Sequence, residues 1–199
     1  RQDGVRESLS HRDRIFNKFV HSRGNMRLKI SWTRKAMEAP EEARKGLTER
    51  LERLHEYFPE IRLEMRIGIT RSCDGLAFMA NDGTVKLMVD MHRSRGSGWK
   101  FPTYWTLGHE LMHLTQFNTK GIPSGERACD VYALARLPPK LIDEPPTYLI
   151  VPPGIRKRWH ENGRYAKLAH DLAIEAIIKR RAGLRRYASW WDDEFERRA

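Results

Sequence analysis

The stretch Leu107-Gly108-His109-Glu110-Leu111-Met112-His113-Leu114 decides how this chain reads. Two histidines four positions apart on a helix project from one face, one turn above each other. Their imidazoles can then meet a single tetrahedral cation, and zinc suits nitrogen ligands of this kind. Glu110 comes directly after the first histidine and can take a proton from water polarised by such a cation. Pro102 opens this helix, which is expected to run to about Phe117. Tyr104, Trp105, Leu107, Leu111, Met112, Leu114 and Phe117 make it apolar on most sides, with His109, His113 and Gln116 in a narrow polar stripe. A helix that is apolar nearly all round is buried. Two imidazoles and a carboxylate left unpaired there would cost roughly 1–3 kcal/mol each, and one cation satisfies all three. The plainer alternative is a pair of core histidines with local partners.

A mononuclear hydrolytic centre needs a third protein ligand and an open fourth position. No histidine lies between His113 and His160, so a motif completed by a third histidine is absent and metzincins are excluded. The next polar cluster is instead Ser124-Gly125-Glu126-Arg127-Ala128-Cys129-Asp130-Val131-Tyr132-Ala133, read as a helix with Ser124 as its N-cap. Glu126 and Asp130 share one face of it, and most of the remaining positions are apolar. Glu126 is read as the third ligand. Asp130 is expected to accept the free N–H of a ligating histidine and so fix its tautomer. Two simpler explanations stand beside these: glutamate is favoured in any first helical turn, and Asp130 could face solvent.

Working outward, Leu47, Leu51, Leu54 and Phe58 recur at helical spacing, so a surface helix with one buried stripe is expected over about 36–58, ended by Pro59. Ile61 to Ile67 alternates strictly and reads as a strand. Two further strands are expected over 75–79 and 84–91, joined around Asn81-Asp82-Gly83, which is a hairpin signal. Ser94 to Gly98 reads as a loop, and 137–153 as a Pro-rich segment. Two helices are expected over 162–181 and 184–198, around a break at Gly183. The fold class is therefore α+β, with a small, mostly antiparallel sheet, an active-site helix, a glutamate helix and C-terminal helices. Three regions are expected: a charged arm or helix over 1–35, with Ile15, Phe16, Phe19 and Val20 as its apolar positions; a central domain over 36–153; and a helical extension packed on it over 154–199.

His-Glu-x-x-His with a glutamate on the next helix resembles the gluzincin zinc peptidases, so the central domain is expected to be zincin-like. More narrowly, Glu126-x-x-Cys129-Asp130-x-Tyr132-Ala133 with the exit Leu137-Pro138 is similar to the ImmA/IrrE-type, or minimal gluzincin, pattern. There Glu-x-x-Ala-Asp/Asn-x-Phe-Ala precedes an apolar-Pro exit. Cys129 and Tyr132 depart from that pattern conservatively, and the 13 positions from His113 to Glu126 make a short connection. The similarity spans about residues 60–140. It implies a zinc-dependent (Zn2+) metallopeptidase, an endopeptidase rather than an exopeptidase, acting on peptide or protein substrates. His109, His113 and Glu126 would be the ligands, with Glu110 as general base and Asp130 supporting a ligand. It also implies a sheet edge beside the active-site helix for extended substrate, and Lys86 to Met91 is the expected strand. Some relatives act mainly as regulators, so the alternative is a zincin-fold regulatory or nucleic-acid-binding protein with little general proteolysis. Among Tyr104, Tyr132, Tyr148, His160, Tyr165 and His170, none stands out as the group that would stabilise an oxyanion.

The 199 residues are 40% apolar and 32% charged, enough for a real core. No apolar run approaches the roughly 20 residues that span a bilayer, so no membrane partner is expected. Two cysteines, Cys73 and Cys129, make no disulfide framework. With no secretory layout at the N-terminus, a reducing cytoplasm is the expected location. The net charge is +11, with basic clusters at 156–160, 179–181 and 185–187. Basic clusters beside aromatics can bind nucleic acid. The preferred reading is that the charges solvate helix faces while Trp159, Trp190 and Trp191 anchor the C-terminal helices.

Overall fold

A computed structural model describes residues 28–61, 65–70, 75–79, 85–94, 98–161 and 163–199. Most of the expected N-terminal arm, Cys73 and the turn at Asn81-Asp82-Gly83 lie outside the described residues. The fold is α+β. A four-stranded sheet runs in the order β1 (Ile30–Trp32), β2 (Met65–Ile69), β4 (Val85–Val89), β3 (Gly75–Met79).

The sheet is not mostly antiparallel. β1 pairs with β2 and β2 with β4 in parallel, and only β3 runs against β4. Parallel neighbours need a crossover. The helices α1 (Arg34–Met37) and α2 (Glu41–His55) supply one between β1 and β2. Ile30–Trp32, placed by sequence in the N-terminal arm, thus belongs to the sheet. It was illegible as a strand because three residues show no period. Two other expectations are corrected. The helix expected over 36–58 is split, and Pro40 sits at the N-cap of its longer part. Ser94 and Gly98, the ends of the stretch read as a loop, belong to two short strands, β5 (His92–Ser94) and β6 (Gly98–Lys100), which pair antiparallel, while 95–97 lie outside the described residues.

The predicted stripe on α2 is the core face: Leu47, Leu51, Leu54 and the nearby Phe58 are fully buried. They pack in one core with the alternating inward residues of β4, Val85, Leu87 and Val89. Upon this platform lies α3 (Tyr104–Asn118), against β3 on one side and α4 (Glu126–Arg136) on the other. Thr103 caps α3 through the Thr106 N–H, and Asp143 accepts the next free donors, Tyr104 N and Trp105 N, at 3.0 and 2.8 Å. A carboxylate at this end also complements the helix dipole.

Gly108 sets the spacing of α3 and α4, because a Cβ there would stand 2.6 Å from the Leu137 Cδ1. The N-cap of α4 is Gly125, with φ +96°, and not Ser124. After a 3-10 turn at Pro139–Leu141 and the short α5 (Pro153–Lys157), α6 (Arg164–Arg181) packs along α4 and α7 (Tyr187–Arg198) along α6. Trp159 and Trp191 are buried and donate to the carbonyls of Ile142 and Ala169 at 3.1 and 3.2 Å. Neither ring is presented to a base. Trp190 is half-buried beneath Lys179. Among the described residues no helix is long and apolar enough to cross a membrane.

Candidate metal centre

His109 and His113, one turn apart on α3, turn their rings toward the first turn of α4. Their Nε2 atoms are 3.1 Å apart, and the Glu126 Oε2 lies 3.1 Å from one and 3.0 Å from the other. The partners of the opposite ring nitrogens define what these atoms are. His109 Nδ1 lies 2.8 Å from the Asp130 Oδ1, and an ionised carboxylate only accepts, so the proton sits on Nδ1. His113 Nδ1 lies 3.0 Å from the Gln116 Oε1. That amide's orientation is fixed in turn, because its Nε2 donates to the Pro123 carbonyl at 2.7 Å and to that of Gly125 at 3.4 Å. Each neutral imidazole therefore presents an Nε2 lone pair. Together with a carboxylate oxygen, three lone pairs converge on one point.

Such a triangle is repulsive unless protons or a cation fill it. Its edges are close to the roughly 3.3 Å expected between ligand atoms about 2.0–2.1 Å from a tetrahedral metal. His109, His113 and Glu126 could accordingly hold a cation, with Asp130 and Gln116 each orienting one ring. A looser set, His109, His113 and Cys129, brings its ligand atoms within 4.8 Å of one another. Its sulfur is poorly suited. Cys129 is buried, its thiol donates to the His109 carbonyl at 3.2 Å, and burial holds its pKa well above the ordinary thiol value. Only a thiolate is a good ligand.

Asp130 is wholly buried and uses both oxygens. While Oδ1 holds His109, Oδ2 accepts the backbone N–H groups of Tyr148 and Leu149 at 2.6 and 3.1 Å. Those donors come from the Pro-rich segment, which thereby straps the site. The same segment donates its Ile150 N–H to Asp192 of α7 at 2.8 Å, and Asp192 also pairs with Arg127 of α4. The sequence suggested a histidine contact for Asp130 but nothing of this strap. The His109 imidazole feels burial first, which lowers its pKa. The Asp130 hydrogen bond and the charges of Asp130 and Glu110 outweigh that and leave it raised.

Glu110 points to the other side, toward β3. Burial raises its pKa, opposed by the two histidines and by a hydrogen bond from the Ala77 N–H. The carboxylate is also close to Gly75. These contacts correct the expected edge strand. Lys86 to Met91 includes β4, which is flanked by β2 and β3, whereas β3 forms the edge beside α3. The reason is topological: the hairpin partner inserts between β2 and β3, and no local pattern records that.

The ligand triangle opens to solvent on the Glu126 side. The Glu126 side chain is 47% exposed, against 9% for His109 and 18% for His113. Of the six aromatic residues considered as helpers, Tyr148 is the one that reaches the site among the described contacts. Its ring stacks on His109 at 5.6 Å and 23°. Burial, then the charges of Glu126, Asp130 and Glu110, raise its pKa, so the phenol stays protonated. Tyr104 lies under Arg50 and Arg53, Tyr132 meets Arg180, Tyr165 stacks on Trp159, and His170 holds the Leu134 carbonyl. Gln116 was visible in the polar stripe of α3, yet only its loop contacts reveal its task. No protein-family model, curated protein or solved structure matches this chain.

Proposed function

We propose that the chain is a zincin-like, zinc-dependent metallopeptidase. The observation that carries this reading is the triangle of His109 Nε2, His113 Nε2 and Glu126 Oε2, three lone pairs 3.0–3.1 Å apart on a solvent-reachable face. The donor set fits zinc: two neutral imidazoles and one carboxylate, each imidazole held by a neighbouring acceptor. Three protein ligands leave room for a further one.

Bound zinc supplies Lewis-acid chemistry, acidifying water and polarising a carbonyl. The chain's own residues do the rest. Glu110 follows His109 on α3, feels the charges of His109, His113 and Glu126, and has a raised pKa, which makes it a stronger base near neutral pH. It removes the proton from the attacking water and returns it to the leaving amine. Tyr148 keeps its hydroxyl proton and sits over His109, where it can donate to an oxyanion. The edge strand β3, which packs against α3, offers the backbone groups of its free edge to an extended peptide or protein substrate.

The deciding experiment pairs metal analysis with peptide hydrolysis for the wild type and for Glu110→Gln. The variant is expected to bind zinc as the wild type does and to lose hydrolysis. Retained hydrolysis in the variant, or no zinc uptake by the wild type, rejects the proposal.

A further inference from the structure

The helix α4 separates two different environments. Glu126 and Asp130 face α3, whereas Tyr132 and Ala135 line a cavity of about 800 Å³. At about 3.6 residues per turn, Ala135 lies on the opposite side of the helix from Glu126. The cavity is therefore distinct from the metal centre. Its lining includes a stripe on α6 formed by Ile174, Ile177 and Ile178, together with Ile122. The i, i+3, i+4 spacing that normally turns inward to a core here lines a hollow. The volume falls within the roughly 300–1,000 Å³ of small-molecule sites.

The charges around the cavity are mostly basic. Lys120 and Arg180 line it together with Arg136, Arg181 and one carboxylate, Glu56. Arg136 is already paired with Glu60 at 2.5 Å. Arg180 hydrogen-bonds the Tyr132 hydroxyl at 3.3 Å and lies 5.8 Å from the Tyr187 ring. Neither of those partners is a carboxylate. Among the described residues neither Arg180 nor Lys120 pairs with a carboxylate. An apolar hollow also lined by Arg180 and Lys120, neither of them paired with a carboxylate among the described residues, is complementary to an anion with an apolar body. A single carboxylate has two oxygens, one for each of these two cations.

We propose that this cavity binds an amphipathic monocarboxylate of fatty-acid type. Its chain lies along the isoleucine stripe and its carboxylate meets Arg180 and Lys120. The cavity also touches the segment that supports the metal centre. Thr119 to Ile122 form part of its lining. The next residues, Pro123 and Gly125, carry the carbonyls that hold Gln116, and Glu126 comes directly after them. A seated ligand should therefore alter zinc affinity. This consequence rests on the metal reading, whereas the binding itself does not.

The test is a calorimetric titration of the full chain with dodecanoate below its micelle concentration, alongside dodecyltrimethylammonium. Saturable one-to-one binding of dodecanoate, with the cationic analogue at least tenfold weaker, is expected. Arg180→Glu should weaken dodecanoate about tenfold or more, the loss of one charged hydrogen-bonding partner. Lys120→Glu, on an exposed residue, should act in the same direction. Equal binding of both amphiphiles, no saturable binding, or two charge variants that bind like the wild type would each overturn the site. Zinc affinity is then measured by chelator competition with and without dodecanoate. A changed affinity supports the coupling. An unchanged affinity with intact dodecanoate binding rejects the coupling and leaves the metal centre to be judged by the Glu110→Gln experiment.

Discussion

Gly75 lies directly against Glu110: a β-carbon added there would stand 2.8 Å from the Glu110 Cγ and 3.1 Å from its Oε1. The edge strand can approach α3 only because this position has no side chain. Gly75→Ala should push the carboxylate aside while leaving His109, His113 and Glu126 untouched. A displacement of about 1 Å at a reacting group costs on the order of a hundredfold in rate. Steady-state kinetics should show kcat reduced on that scale with zinc content unchanged. Wild-type kcat in the folded variant would dissociate Glu110's position from activity.

Asp130 and Gln116 orient different ligands, and their variants should separate. Asp130→Asn replaces one acceptor oxygen with an amide donor and disturbs both the His109 tautomer and the strap at Tyr148 and Leu149. Zinc affinity should fall about 10–100-fold. Stability should fall by about 1–3 kcal/mol as a buried donor loses its acceptor. Gln116→Ala frees His113 Nδ1 and the Pro123 and Gly125 carbonyls, at a partly exposed position, so its affinity loss should come with a smaller change in Tm. Chelator competition and thermal unfolding of both variants check this. Equal Tm losses would contradict the assignment of the strap to Asp130.

Tyr148→Phe keeps the ring stacked on His109 and removes only the hydroxyl. If that hydroxyl stabilises the oxyanion, kcat should drop about a hundredfold while KM and zinc affinity stay near wild type. A variant with unaltered kcat would leave Tyr148 a packing residue.

His109 contributes to the pH dependence of the metal-free chain. Its folded pKa is raised. Burial works against the charge, but the Asp130 hydrogen bond and the Asp130 and Glu110 charges prevail. A raised folded pKa stabilises the fold in full below the unfolded value and ceases to do so as pH climbs through the folded one. The metal-free Tm should therefore decline as pH rises from about 6.5 upward. His109→Gln should flatten that decline. Zinc affinity should move in the opposite direction, rising with pH, because the ligand nitrogens must be deprotonated. Calorimetry across this interval measures the first effect and chelator competition the second. A wild-type slope indistinguishable from that of His109→Gln would show that another group is responsible.

The sequence alone determined what depends on neighbours along the chain. His109 and His113 share a face because a helix repeats every 3.6 residues. Leu47, Leu51 and Leu54 point inward for the same reason, and Glu126 and Asp130 fall together on the next long helix. Tertiary structure decided everything set by contacts between distant segments. It put β4 inside the sheet and β3 at its edge, gave Gly75 its place under Glu110, and brought Tyr148 over His109 from a Pro-rich stretch with no periodicity. It also made Gln116 a support for His113, since its amide is oriented by carbonyls at positions 123 and 125. Periodicity encodes which side of an element is apolar. Strand order and the far ends of hydrogen bonds emerge only when the whole core packs.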